Sequence, residues 1–116
     1  MAWRTRMISE INLEGLITCN WKDIEAVEGA PGITVRNLWR GENNKRIDIY
    51  EFSPGAVYGA LDVHEAGPEQ VFVLSGIFND GRKNHKTGTF LHHPKGSAHI
   101  PQSKSGCVLL VIFPEG

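Results

Sequence analysis

The chain has little cysteine, no long apolar run and almost no net charge. Its 116 residues include two cysteines, Cys19 and Cys107, whose spacing excludes a Cys-x-x-Cys zinc or redox motif. A chain of this size does not need a disulfide, and we therefore predict a cytoplasmic protein. No apolar run reaches membrane-spanning length. A formal net charge of −1 gives no field that would attract nucleic acid or an anionic membrane.

Helix signals are also scarce. Residues 20–27 predict one or two helical turns at most, with Asn20 as the cap. The 13 glycines and 6 prolines fall between short apolar runs, a pattern typical of many short strands. The segments that predict strands are residues 33–39, 46–52, 57–64, 69–74, 76–79, 88–93, 98–101 and 107–113. Their spacing predicts an all-β protein, either a sandwich or a barrel.

The length predicts a single domain. Residues 1–20 have mixed character and predict an N-terminal arm or outer strand, which leaves residues 21–116 as the main domain. Residues 71–74 and 108–113 are apolar on both faces, so both faces of these strands must be covered. A second protomer is one natural cover, and we therefore predict a homodimer.

Two sequence patterns contain residues that bind metals in other proteins. The first, H-x4-E-x6-G, begins at His64 and includes Glu69. The second, G-x5-P-x-G-x2-H, begins at Gly88 and ends at His99. Imidazole nitrogens with a carboxylate oxygen suit divalent transition metals, and two histidines with one carboxylate is the pattern of non-haem Fe(II) sites. We predict that His64, Glu69 and His99 converge on one divalent ion.

The remaining ligands are open at this point. Asp62 faces the same way as His64 if the strand alternates regularly, so Asp62 is a candidate fourth ligand. Glu65, directly after His64, is the alternative source of a carboxylate oxygen.

The other histidines are assigned lesser roles. His85 falls in a polar turn and is predicted to be exposed to solvent. His92 and His93 are adjacent, so one faces inward and the other outward. The inward one can line a pocket near His99, although we favour packing or surface exposure for both.

Together these patterns resemble the two motifs of the cupin superfamily, and within it the ChrR-like cupin domains of certain anti-sigma factors and their stand-alone relatives. The resemblance covers about residues 21–113. The matching positions are Trp21, 31–32, Arg36, Leu38, 53–56, 69–80, 88–89, 94–99, Pro101, Ser103 and 106–107. It implies an antiparallel double-stranded β-helix, the cupin jelly-roll barrel, with little helix. It also implies a divalent metal, with Fe, Zn and Mn as the candidates, held by two histidines and a glutamate from the first motif and a histidine from the second.

Two alignments of the first motif are possible. Glu69 and His99 match cupin ligands in both. In one alignment His64 is the second histidine and Asp62 replaces the first. In the other, Val63 and Glu65 take the two histidine positions and His64 falls outside the motif. The anti-sigma relatives carry an additional helical zinc domain, for which we see no counterpart, and we expect no anti-sigma role.

The resemblance leaves three functions open. Stand-alone relatives include oxygenases that cleave small diketones or similar oxygen chelators, and we favour a metal-dependent enzyme of this kind, a dioxygenase for example. The second possibility is a non-catalytic module that senses a metal or small ligand. The third is a metal-free cupin of the isomerase type, with His64 and Glu69 as an acid–base pair. In every case the ligand is small, because a barrel of about eight strands encloses at most one small molecule. Phe72, Phe90 and Tyr58 are predicted at its rim.

Overall fold

The structure, a computed structural model, describes residues 10–116. These residues contain no α-helix, and helical structure is limited to short 3-10 turns such as Trp21–Asp23 and Glu42–Asn44. The strands are β1 Val27–Ala30, β2 Ile33–Arg40, β3 Arg46–Phe52, β4 Ala56–Val57, β5 Asp62–Val63, β6 Glu69–Asn79, β7 Asn84–Lys86, β8 Phe90–His93, β9 Ala98–His99, β10 Gln102–Ser103 and β11 Cys107–Phe113. None of the helical segments in this part of the chain has the length and apolarity needed to cross a membrane.

The strands form one curled antiparallel sheet and a small second sheet. The large sheet has 9 strands, with the order β1-β2-β3-β11-β6-β10-β4 and with β7 and β8 also paired to β6. The second sheet consists of β5 and β9. The predicted all-β jelly-roll architecture with little helix is thus confirmed.

The core lies on the concave face of the large sheet. Alternate residues of β6 and β11 point inward, where Val71 is paired with Val111 and Val73 with Leu109. All four side chains are almost completely buried, and burial of each contributes about 1.5–3 kcal/mol to folding. These strands therefore anchor the barrel wall to which the functional residues are attached.

The N-terminal part of the chain lies outside the barrel. Residues 11–20 are exposed and contain no strand, while residues 1–9 of the predicted arm or outer strand lie outside the described residues. Asn20 accepts a hydrogen bond from the Lys22 backbone N–H, so it caps only the short turn Trp21–Asp23, and the predicted longer helix is absent. The Arg36 guanidinium of β2 lies 5.2 Å from the Trp21 ring and holds this segment on the outer face. The domain boundary at residue 20 stays a prediction.

The predicted strand over residues 57–64 is wrong, because it divides into β4 and β5. β4 pairs with β10, whereas β5 pairs with β9. Pro101 lies between β9 and β10 and has no N–H to donate, and the neighbouring Ile100 N–H bonds to the Asp80 carbonyl instead. A continuous ladder is therefore impossible at this point.

Gly76 joins two predicted strands into the single strand β6. Its φ is +76°, and the register of β6 against β11 shifts just before it, between Val73 and Ser75. A Cβ at this position would lie 2.2 Å from the Gly106 carbonyl oxygen, so the close approach of the two strands requires glycine.

Candidate metal centre

Three histidines and one glutamate meet inside the barrel. His64, Glu69, His93 and His99 each offer one ligand atom, and these four atoms lie within 4.8 Å of one another. Three of the four residues are buried and His93 is nearly so. They come from four different segments, so only the folded barrel assembles them.

Glu69 and His93 are placed by the pairing of β6 with β8. They are direct partners in this antiparallel ladder, and partners across a ladder project on the same face. Leu91, two residues before His93, packs against the hydrophobic core. Strand alternation therefore directs the His93 side chain inward as well.

His64 and His99 are placed by the small sheet and by the turn after β8. His99 on β9 is the partner of Asp62 on β5. The His64 N–H donates to the Ser97 carbonyl and the His64 carbonyl accepts from the Gly96 N–H, at 2.9 and 2.8 Å. The proline–glycine turn of the second motif thus fixes the backbone of the first.

The distances within the group fit a metal ion. The Nε2 atoms of His64 and His99 are 3.0 Å apart. The Glu69 Oε1 atom lies 3.7 Å from the first and 3.6 Å from the second. Metal–ligand bonds of about 2.0–2.2 Å separate neighbouring ligands by roughly 2.8–3.6 Å in octahedral or tetrahedral geometry.

The Nδ1 atom of His93 is a further candidate ligand atom. It lies 3.5 Å from Glu69 Oε1, yet it is buried and has no hydrogen-bond partner in the part of the chain that the structure describes. Buried polar nitrogens are rarely left unpaired. The donor set of three imidazoles and one carboxylate suits a divalent transition metal.

Burial favours the neutral form of the His64 ring. Burial lowers the pKa of His64, although the Glu69 and Asp62 carboxylates oppose this shift. A neutral imidazole is the form that binds metals. The pKa of Asp62 is also lowered, chiefly by its hydrogen bond with His99, and burial opposes that effect.

The residues predicted from sequence fall into three groups. The structure brings together His64, Glu69 and His99. Asp62 lies at the edge, with Oδ2 3.2 Å from His99 Nε2, but its side chain is 35% exposed and it is not part of the four-residue group. Glu65 is exposed and also lies outside the group, because neighbouring residues along an extended chain point to opposite sides.

His93 belongs to the four-residue group, a role that the sequence analysis did not favour. Its predicted role was packing or surface exposure, and its neighbour His92 was not distinguished from it. The alternation of β8 indicates the inward position of His93, since the apolar Leu91 lies two residues before it and therefore points to the same face of the strand. His93 adds a third imidazole to the group.

A cavity of about 280 Å³ borders the group. Its wall is mainly apolar and includes Ile33, Val35, Phe52, Val71, Phe78, Leu109, Val111 and Phe113. Polar side chains are few: besides His64, Glu69 and His99 they are Arg46, Tyr50, Tyr58 and Asp62. The predicted rim is correct for Tyr58, but Phe72 and Phe90 are exposed and do not line the cavity.

Comparisons with known proteins agree with this fold. The polyketide cyclase RemF from Streptomyces resistomycificus is 22% identical, with 87% of this chain and 80% of that chain covered and a TM-score of 0.73. A predicted oxalate decarboxylase from Thermotoga maritima is 21% identical, covers 83% of this chain and 96% of that chain, and has a TM-score of 0.68. At these identities the likeness shows the fold alone.

The structure of Rhodobacter sphaeroides SigE in complex with the anti-sigma ChrR is also similar. The identity is 17%, 80% of this chain is covered, and the TM-score is 0.67. The chain spans about half the length of this match, 51%, and of a cupin-like protein from Ralstonia eutropha, 55%. No curated protein sequence matches the chain.

The fold and the four convergent side chains define a cupin with a His/Glu group that can hold a metal. The family model of the ChrR cupin-like domain matches residues 14–114. The chain therefore belongs to the ChrR cupin-like family, as its motifs predicted.

Proposed function

We propose that the protein is a metal-dependent enzyme of the non-haem oxygenase type that acts on a small, oxygen-chelating molecule. The observation that carries this proposal is the convergence of His64, Glu69, His93 and His99 beside a small apolar cavity. We assign these four residues as ligands of divalent Fe, Zn or Mn. Asp62 is assigned to the cavity edge, and Glu65 has no place in the site.

The bound ion would act as a Lewis acid and as a template for a chelating substrate. The side chains of this protein do the rest. His64, Glu69, His93 and His99 would hold the ion and leave it accessible to substrate oxygens from the cavity. Val71, Phe78 and Leu109 form an apolar wall that excludes water. The protein thus holds a small molecule in a dry space with its oxygens directed at the His/Glu group.

The ligand assignment can be tested with two adjacent histidines. His93→Ala removes one member of the group, whereas His92→Ala alters the neighbour that bonds to Gln70 on the other side of β8. Protein purified without chelator or affinity metal is examined by elemental analysis. We expect about one ion per chain in wild type and His92→Ala and a clearly lower metal content in His93→Ala, which loses one of the four ligands; equal metal content in both variants would contradict the assignment.

The reaction type is tested by oxygen uptake. Iron-loaded protein is mixed with β-dicarbonyl and catechol compounds, and His93→Ala is the matched control. Turnover that depends on His93 supports an oxygenase. Metal-dependent binding of these compounds without turnover favours the second candidate, a sensing module.

The third candidate function, a metal-free isomerase, has less support. A site for a phosphorylated sugar needs cationic side chains, and Arg46 is the one basic residue among those that line the cavity in residues 10–116. Its Nε atom lies 3.3 Å from Asp48 Oδ2, so its charge is already paired.

We also propose that the protein forms a homodimer through the outer face of the large sheet. A row of partners crosses this face from Arg36 through Ile49, Leu110 and Phe72 to Phe90. The Ile49 side chain is buried, whereas Phe72 is 39% and Phe90 57% exposed. The row is therefore covered at one end and open at the other.

A second copy of the chain suits this open end, because the chain carries a second uncovered apolar surface. Residues 11–17 expose the large side chains Ile11, Leu13, Leu16 and Ile17. Contact between two copies can cover both surfaces at once. Sedimentation at tens of micromolar tests this: we expect a dimer, about tenfold weaker in Phe72→Ser and unchanged in Val27→Ser. A monomeric wild type would contradict the proposal.

The predicted cytoplasmic location stays a proposal. Cys19 and Cys107 are both free thiols in the structure, and a reducing compartment keeps them in that state. Cell fractionation with antibody detection is the direct test.

A further inference from the structure

The chain has two tyrosines, and both line the cavity. They differ in how they are held. Tyr50 lies in the middle of β3, where its partners are Val35 on β2 and Leu109 on β11. Tyr58 follows the short strand β4 and is 38% exposed. Tyr50 is thus fixed by a central strand of the barrel, and Tyr58 is a less constrained residue at the edge.

Tyr50 contributes to the cavity wall, and its side chain makes no hydrogen bond within residues 10–116. A tyrosine hydroxyl in a protein interior normally finds a partner. A hydroxyl in this position is therefore available to a ligand in the cavity.

The hydroxyl is a donor over the whole physiological range. Burial raises the pKa of Tyr50 far above its usual value, and the Asp48 and Glu69 carboxylates raise it further. The residue consequently stays neutral beside the His/Glu group and can bond to a ligand oxygen without adding charge.

The charges around the cavity restrict the ligand as well. Arg46 is paired with Asp48, and its guanidinium also lies 3.7 Å from the centre of the Phe113 ring. The other charged residues of the wall are Asp62 and Glu69, which are both acidic. No unpaired cation in the described wall can therefore balance a second negative charge on a ligand.

We propose that Tyr50 is a positioning residue whose hydroxyl donates a hydrogen bond to a small, neutral or singly charged chelator with an apolar body. The chelator's oxygens face the His64, Glu69 and His99 side chains, and its body packs against the apolar wall. An enolisable β-dicarbonyl has this chemistry, whereas a compact dianion such as oxalate does not. This inference rests on the proposed function and specifies its ligand.

The test uses the two tyrosines as a matched pair. Tyr50→Phe and Tyr58→Phe each remove one hydroxyl from the same cavity, and Phe keeps the ring. Wild type and both variants are loaded with Co²⁺, and the visible spectrum is titrated with acetylacetone and with oxalate. Thermal unfolding and Co²⁺ content are measured in parallel.

We expect all three proteins to bind Co²⁺ equally and to unfold at similar temperatures. The Kd for acetylacetone should rise about 3- to 10-fold in Tyr50→Phe, as the loss of one hydrogen bond predicts, and less than about 2-fold in Tyr58→Phe. Oxalate should bind at least about tenfold more weakly than acetylacetone to the wild type.

The contrary outcomes separate the inference from the proposed function. Intact Co²⁺ and acetylacetone binding with no selective loss in Tyr50→Phe overturns the role of Tyr50. Co²⁺ binding with oxalate preferred, or without acetylacetone binding, overturns the ligand class. A wild type that binds no Co²⁺ overturns the proposed function, and the inference falls with it.

Discussion

Two regions of this barrel combine histidine with a carboxylate, and they differ in how the carboxylate is satisfied. In the hairpin between β6 and β7, Asp80 Oδ2 accepts a hydrogen bond from His85 Nε2 at 2.8 Å. Asp80 Oδ1 accepts from two backbone N–H groups of the turn, at 2.9 and 2.8 Å. In the His/Glu group, by contrast, the ring nitrogens lie 3.5–3.7 Å from Glu69.

The difference separates a structural pair from a binding site. Asp80 has its acceptor capacity filled by the protein, whereas Glu69 is surrounded by nitrogens at ligand-to-ligand distances. Residue types alone do not distinguish the two. His85 was predicted to be exposed in a turn, and this is wrong: β7 pairs with β6, opposite Phe78, and the His85 side chain is only 11% exposed.

The largest expected effect comes from replacing the unsatisfied carboxylate by an amide. Glu69→Gln should weaken metal binding by at least about 100-fold, since it removes a ligand charge at the centre of the group. It should not lower the stability of the metal-free protein, because Glu69 makes no hydrogen bond that the amide would lose. Metal titration and urea unfolding are the measurements; unchanged metal affinity would remove the distinction between the two regions.

Replacing the hairpin carboxylate by an amide should lower the stability of the protein and leave metal binding unchanged. Asp80→Asn keeps an oxygen for the turn but cannot pair with His85 as a carboxylate, so the free energy of unfolding should fall by about 1–2 kcal/mol. Metal stoichiometry should equal that of wild type. A stable variant that has lost its metal would show that the hairpin and the metal centre are coupled.

The smallest effect is a change in acid sensitivity. Burial opposes ionisation of Asp80, but the hydrogen bonds from His85 and the turn outweigh it and hold the pKa of Asp80 well below its usual range. The unfolded chain therefore takes up a proton first as the pH falls. Stability supplied by Asp80 is complete above a pH of about 4 and is lost progressively below it.

Urea unfolding between pH 5 and pH 2 checks this sign. The difference in stability between wild type and Asp80→Asn should shrink as the pH falls. A difference that stays constant over this interval would mean that the carboxylate keeps the same pKa in both states.

Parts of the fold follow from local patterns and parts do not. β3 and β11 begin and end at the predicted residues, because each is an uninterrupted run bounded by turn residues. β7 was missed because its residues are polar and it exists only through pairing with β6. The break between β4 and β5 depends on Pro101, which is 38 residues or more further along the chain from either strand.

The sequence by itself determined the fold class, the family and three members of the His/Glu group, since strand periodicity and the spacing of His64, Glu69 and His99 are local properties. The tertiary structure decided the rest. His93 enters the group through its pairing with Glu69 across β6 and β8, and Glu65 is left outside because His64 takes the inward position. The contrast between Asp80 and Glu69 has the same origin. The number of hydrogen bonds that each carboxylate accepts depends on which segments of the chain lie next to it in the fold, and the order of residues along the chain does not specify this.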